Sequence, residues 1–428
     1  MRFWMHVLTR LRLVVWLGWS VVGWGVVASG AVACTESASS VKADAGVTAT
    51  DVTGAVDAGD ADAAAGSDAL AATDTTPASW PLIALDPAAK APPKLSMIGV
   101  ARRVNGVLEL HPDMVPYELS VPLFSDYAVK RRALWLPAGT AISYRAKGPL
   151  DFPVGSILIK SFLFPEDMSE PTKHLRLIET RVIVRDKTEW KAWPYVWDDD
   201  GQDATLKVGG TVKSLPFMDV AGNKRTANYL VPQRNQCLDC HDRKDSGGTF
   251  TDIIGPKARY LNREILVDGE AVNQLQRLSD NGWLKGMPAL GLIDQAFSAE
   301  KVAQVGVAQL GKAELNAAAR DYLDINCAHC HSPNGVEGRT SQLYLNFDNE
   351  DAFLMGVCKA PSSAGKGGFG RSYDIVPGQP DQSILVYRLQ TTELGAMMPD
   401  IGRSLVHTEG LALVRRWILE MAPVKCDR

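Results

Sequence analysis

The sequence has no basic excess. Its 428 residues carry 45 Lys and Arg against 49 Asp and Glu, a formal net charge of −4. A chain held to nucleic acid normally shows a basic stripe, so no nucleic-acid partner is expected. Residues 35–79 contain no aromatics, and Lys42 is their one base. A stretch so rich in Ala, Asp and Thr buries too little apolar surface to offset the entropy of ordering, and is expected to be a disordered tether. No nucleophile stands in a pattern with a base between residues 80 and 232. "GKGGFG" (Gly365 to Gly370) has no strand leading into it and no helix behind it, which removes the dinucleotide reading and leaves a surface or cofactor-edge loop.

What is present is globular in character, with 46% hydrophobic and 22% charged residues. The length calls for two or three domains. At the N-terminus, Arg2, Arg10 and Arg12 precede an apolar stretch from Leu13 to Val27, and small residues lead into Ala31-Val32-Ala33-Cys34. This is the layout of a secretory signal. Cys34 directly after the small residues resembles the acylated cysteine of a bacterial lipoprotein, although Ala31 stands where such motifs prefer Leu. Cleavage after Ala33 without acylation, and an uncleaved anchor from Leu13 to Ala33, are the alternatives, since about 20 apolar residues span a bilayer. All three put the folded part outside the cytoplasm. Thr35 differs from the Asp that retains lipoproteins at the inner membrane, so a periplasmic or cell-surface lipoprotein anchored in the outer membrane is expected.

Seven cysteines are present: Cys34, Cys237, Cys240, Cys327, Cys330, Cys358 and Cys426. Four of them form two Cys-x-x-Cys-His motifs, "NQCLDCH" and, ninety positions later, "INCAHCH". The motif is a c-type haem attachment site. Two thiols one helical turn apart each form a thioether with a haem vinyl group, and the adjacent His ligates iron. Structural zinc needs four ligands in a compatible pattern, and a thioredoxin-like pair needs a βαβ context that is missing here. The expectation is therefore two covalently bound haem c groups. Cys237, Cys240 and His241 would hold the first, and Cys327, Cys330 and His331 the second. If Cys34 carries lipid, Cys358 and Cys426 remain and can pair as a disulfide in an oxidising compartment; two unpaired buried thiols are the alternative.

An electron-transfer haem usually closes the second face of its iron with Met or His. Met398-Pro399 follows the second motif and Met287-Pro288 the first, so Met398 and Met287 are the expected sixth ligands. Met397 is a neighbouring decoy, and His407, His111 and His174 are outside candidates. His329 sits between the two thiols of its motif, where it is not expected to reach iron. "KAELNAAARDYLDIN" and "TEGLALVRRWILEM" read as amphipathic helices, as does "EAVNQLQRLSDNGWL". Upstream, "SILIKSFLF", "HLRLIETRVIVR" and "WKAWPYVW" read as strands separated by "RDKTE" and "DDDG", which points to an antiparallel sandwich or barrel. The cluster Asp198, Asp199, Asp200 and Asp203 reads as a hairpin turn, with calcium as a lesser alternative.

The stretches "VPYELSVPLFSDYAVKRRALWLP", "FPVGSILIKSF", "NQCLDCH", "IGPKARYLNRE", "NCAHCHSPNG", "RSYDIVPGQPDQSILVYRL" and "MMPDIGRSLVHTEG" resemble a bacterial group of dihaem c-type cytochromes, often lipoproteins, with an N-terminal β domain. The resemblance spans nearly everything after residue 80 and implies haem binding at the six motif residues. The C-terminal part also looks like a class I cytochrome c. The expected organisation is a signal peptide (1–33), a lipidated Cys34 with its tether (34–79), a β-rich domain (80–232), a first haem-binding region (233–304) and a second haem domain (305–428). The expected fold class is multidomain, an antiparallel β domain followed by mainly α cytochrome c-like domains. Such a protein would pass electrons between a donor and an acceptor protein. A dihaem peroxidase-like oxidoreductase with one open haem is the alternative.

Overall fold

The computed structural model describes residues 79–83 and 85–427. The signal, Cys34 and most of the tether lie outside the described residues. Residues Thr75–Arg428 group as one unit. Among the described residues no helix is long and apolar enough to cross a membrane.

The chain opens with a hairpin of β1 (Ala101–Val104) and β2 (Val107–Leu110). It then builds an antiparallel sheet from β3 (Val115–Pro116), β4 (Val129–Trp135), β6 (Ile157–Pro165), β7 (Leu175–Arg185), β8 (Trp190–Trp197) and β9 (Ala204–Leu206), in that order. The short β5 (Ile142–Ser143) lies outside this sheet. The apolar runs quoted above become β6, β7 and β8. Alternation along each strand divides the sheet into two faces. Ile157, Ile159, Val182, Val184, Trp193 and Tyr195 pack on one side with Leu95 and Ile98. Leu134, Leu158 and Ile183 belong to the other side, with Tyr117, Ile253, Tyr260 and Ile325. A long hairpin of β10 (Thr211–Met218) and β11 (Lys224–Val231) adds Phe217 and Tyr229 against Phe164 and Phe162. This is one six-stranded sheet with separate two-stranded pairs, rather than a sandwich or a closed barrel.

The region after residue 232 corrects the expectation of mainly α haem domains. The helix α1 (Arg234–His241) runs into a hairpin of β12 (Asp242–Asp245) and β13 (Gly248–Thr251). After α2 (Ala258–Leu261), a second hairpin joins β14 (Glu264–Val267) to β15 (Glu270–Asn273). Its two-residue turn is Asp268-Gly269, both at positive φ (52° and 86°), which suits a tight hairpin and explains the Gly. This turn removes the start of the helix expected over "EAVNQLQRLSDNGWL". Only α3 (Gln274–Asp280) forms, capped by the Asn273 side chain. β16 (Leu284–Lys285) then pairs in parallel with β5.

Further on, α4 (Ala299–Val305), α5 (Lys312–Asn326), α6 (Gly338–Ser341), α7 (Ile384–Gln390) and α8 (Thr408–Leu419) are interrupted by a long irregular segment between α6 and α7. Gly- and Pro-rich stretches such as "APSSAGKGGFG" and "VPGQPDQ" break helix there. No mainly α cytochrome c-like domain is evident among the described residues: the chain is dominated by strands in several small antiparallel sheets. The two longest helices do pack on each other, with Leu315, Ala318, Ala319 and Tyr322 of α5 meeting Leu413, Val414, Trp417 and Ile418 of α8. Gly410 permits the close approach, because a Cβ there would overlap the Tyr322 ring.

Candidate functional site

The first motif occupies α1. Pro232 stops any helix from running in from upstream, and the Gln233 N–H donates to Gln236 Oε1 (3.1 Å) at its start. Cys237, Cys240 and His241 are spaced three and four apart, so they share one face. His241 Nδ1 lies 2.7 Å from the Asp252 carbonyl oxygen. A carbonyl only accepts, so Nδ1 carries the proton and Nε2 keeps its lone pair for a ligand. Burial lowers the His241 pKa to about 4, which keeps the ring neutral.

The second motif follows α5. The Cys327 N–H still donates to Leu323 O (2.8 Å), and the His331 N–H to Cys327 O (2.9 Å), so the helical turn continues through the motif. Glu337 and Gly338 N–H groups donate to Cys330 O (3.2 and 3.0 Å) and fold the next loop back. Cys327, Cys330, His331, Leu345, Leu389 and Met398 line a cavity of about 490 Å³. That is within the usual range of cofactor and ligand pockets, roughly 300–1,000 Å³. Met398 is held there by its N–H to Arg388 O (2.9 Å) and by Arg403 Nε on its carbonyl (3.2 Å). Burial brings His331 to about 4, and its buried Nδ1 has no hydrogen-bond partner among the described residues. Met397 is buried outside this lining.

The two motifs meet. The ligand atoms of Cys240, His329 and Cys330 all lie within 4.8 Å of one another. Cys330 Sγ also reaches the Asp239 carbonyl at 3.3 Å. Arg243 ties the motifs together, donating from one nitrogen to Cys240 O (3.1 Å) and His329 O (2.6 Å). The Lys244 N–H adds a bond to Asn334 O (2.9 Å) just past the second motif. Hydrogen bonding from Cys330, helped by His329, holds the Cys240 thiol low, and the same bond pushes Cys330 up. Three donors are one short of a closed structural zinc site. All four motif cysteines are free thiols, as thioether attachment requires.

Cys237, Cys240 and His241 also line a smaller cavity, about 150 Å³, whose other wall is the six-stranded sheet. Met287 is not among its lining residues; it is half-buried and packs on the core beside Trp283 and Leu290. His111 Nδ1 accepts from the Asp113 N–H (3.0 Å), and His174 sits exposed in a turn at φ 46°. His407 stacks on Phe124 (4.3 Å) and bonds Tyr322 OH (3.2 Å). Cys358 and Cys426 form a disulfide. The acidic loop is satisfied by protein groups: Asp198 by Lys94 and Thr205, Asp199 by Lys213, and Asp203 by Ser96.

Sequence reasoning missed the cations of the smaller cavity, Arg132, Lys160 and Arg181. The signal was available, since Lys160 interrupts the apolar run "SILIKSFLF" at a position where alternation points inward. No family, curated protein or solved structure matches the chain.

Proposed function

We propose that this chain is an extracytoplasmic dihaem c-type cytochrome that passes electrons between a donor and an acceptor protein. Haem iron, when bound, supplies the one-electron chemistry, and the protein supplies attachment, axial ligands and a shielded pocket. Cys237 and Cys240 would carry one haem and Cys327 and Cys330 the other, with His241 and His331 as proximal ligands. The observation that carries this reading is the meeting of the motifs. Two attachment cysteines ninety positions apart in sequence have sulfurs within 4.8 Å, side by side as a relay requires. The neutral His241, fixed by Asp252, and the shared lining of His331 and Met398 add support. The fit is stronger at the second motif, where the cavity is larger. The disulfide suits the oxidising compartment that the N-terminal segment implies. Anchoring through a lipidated Cys34 belongs to the same reading.

The peroxidase-like alternative keeps one observation in its favour. Among the described residues no methionine lines the cavity of the first motif, as an open haem face would need. Spectra of the protein matured with a haem-attachment system separate the two. Two low-spin haems, one converted to high-spin by Met398→Ala, match electron transfer. A high-spin haem in the unaltered protein with turnover of peroxide matches the alternative.

A further inference from the structure

Three cations stand in a row across the six-stranded sheet. Arg132 on β4 is the register partner of Lys160 on β6, and Lys160 is the partner of Arg181 on β7. Residues opposite each other on neighbouring strands have Cβ atoms about 4.5–5.5 Å apart, and like charges there repel. By alternation the row shares its face with Leu134, Leu158 and Ile183, which pack into the core. All three side chains line the cavity that holds Cys237, Cys240 and His241.

Among the described residues, direct hydrogen bonds and ion pairs reach this row only at its Arg181 end, while the Glu118 charge acts on Arg132 through space and is itself paired with Arg263. Glu179 bonds Arg181 (2.6 and 3.1 Å) and accepts from Tyr229 OH (2.7 Å), so its charge is committed there. Asp126 accepts from the Ser404 and Leu405 N–H groups (2.7 and 2.8 Å). Arg403 is engaged by the carbonyls of Met398, Leu405, Arg388 and Thr391. Among the described residues no hydrogen bond or ion pair engages the side chains of Arg132 or Lys160. Lys160 Nζ rests 4.8 Å from the Phe162 ring centroid. Burial accordingly pushes Lys160 well below the ordinary lysine range. Unpaired cations in such a place cost free energy unless an anion completes them.

We propose that Arg132, Lys160 and Arg181 form an anion site in this cavity, which takes a carboxylate or a small oxyanion. The inference deepens the haem reading and rests on it only for the anion's source. That source is either the propionate carboxylates of the haem attached at Cys237 and Cys240, or a free oxyanion entering the cavity.

The test compares full-length matured protein with a double variant, Arg132→Met with Lys160→Met. Mass spectrometry first counts attached haems, which judges the haem reading separately. Removing cations beside a haem carboxylate favours the ferric state by simple Coulomb attraction. Bound propionates therefore predict that one reduction potential falls, the other holds, and neither responds to added phosphate. A free anion predicts saturable spectral and melting-temperature changes with inorganic phosphate or nitrite, weakened at least tenfold in the variant. If no haem is attached, the phosphate arm still applies through melting temperature alone. Unchanged potentials together with no saturable anion response, or no anion response in haem-free protein, would overturn the proposal. Should the double variant fail to fold, Lys160→Met against the charge-keeping Lys160→Arg makes the same comparison.

Discussion

At the scale of single residues, the two Met-Pro methionines part company. Met398 lines the same cavity as His331, whereas Met287 packs half-buried on the core and does not line the cavity of His241. Met398→Ala is expected to convert one haem from low-spin to high-spin in the ferric spectrum, with the other unchanged. Met287→Ala is expected to leave both spectra as they are and to lower stability by about 2 kcal/mol, the lower end for truncating a core methionine. Chemical denaturation read beside the spectra checks both. A spectral change in Met287→Ala would return that residue to the iron. The Met-Pro dipeptide was legible in sequence at both places, but the dipeptide does not say which cavity it enters.

Among the elements, the joint that matters lies between α2 and α5, because α5 leads into the second motif. Arg259 pairs with buried Asp321, while Lys257 and Tyr260 OH both reach Asp324 (2.5 Å each). Burial alone would raise the Asp324 carboxyl. The Lys257 charge and hydrogen bonds from Lys257, Tyr260 and the Phe347 N–H overcome it and hold the group below the usual carboxylate range. A depressed folded pKa means stability that is full above the unfolded value, about 3.9, and is lost as pH falls through the lower folded value. Asp324→Asn is expected to cost about 3–5 kcal/mol near neutral pH, because Lys257 is left facing a neutral amide. It should also flatten the acid limb of a stability-against-pH curve below about pH 4; an unaltered limb would show that this pair does not carry it. The helices α5 and α8 and the strands β6 to β8 could be read from periodicity, because each buries one face along its length. The Asp268-Gly269 turn was equally visible, yet the helix-like spacing after it took precedence, and a hairpin was read as helix. The meeting of Cys240 with Cys330 is a tertiary contact made through Arg243 and β12, and no local pattern encodes it.

For the whole molecule, the Cys358–Cys426 bridge closes a separation of 68 residues around the second cavity. Replacing both with Ser is expected to lower stability by about 2–4 kcal/mol, and reductant should then have no further effect on unfolding. The haem spectra should not change, since neither sulfur lines the cavity. This pairing followed from counting cysteines, whereas the departure from mainly α haem domains did not, because glycine- and proline-rich connections outweigh helix after residue 326.

On the proposed function, two porphyrins are bonded to one polypeptide at neighbouring sulfurs. Intact-mass spectrometry of protein matured in a host with a c-type attachment system tests it most directly, repeated on Cys240→Ala with Cys237→Ala and on Cys327→Ala with Cys330→Ala. The expected mass is that of the processed chain plus two haems, falling to one in each double variant. A chain of unmodified mass, or one whose added mass survives both pairs of substitutions, would contradict it.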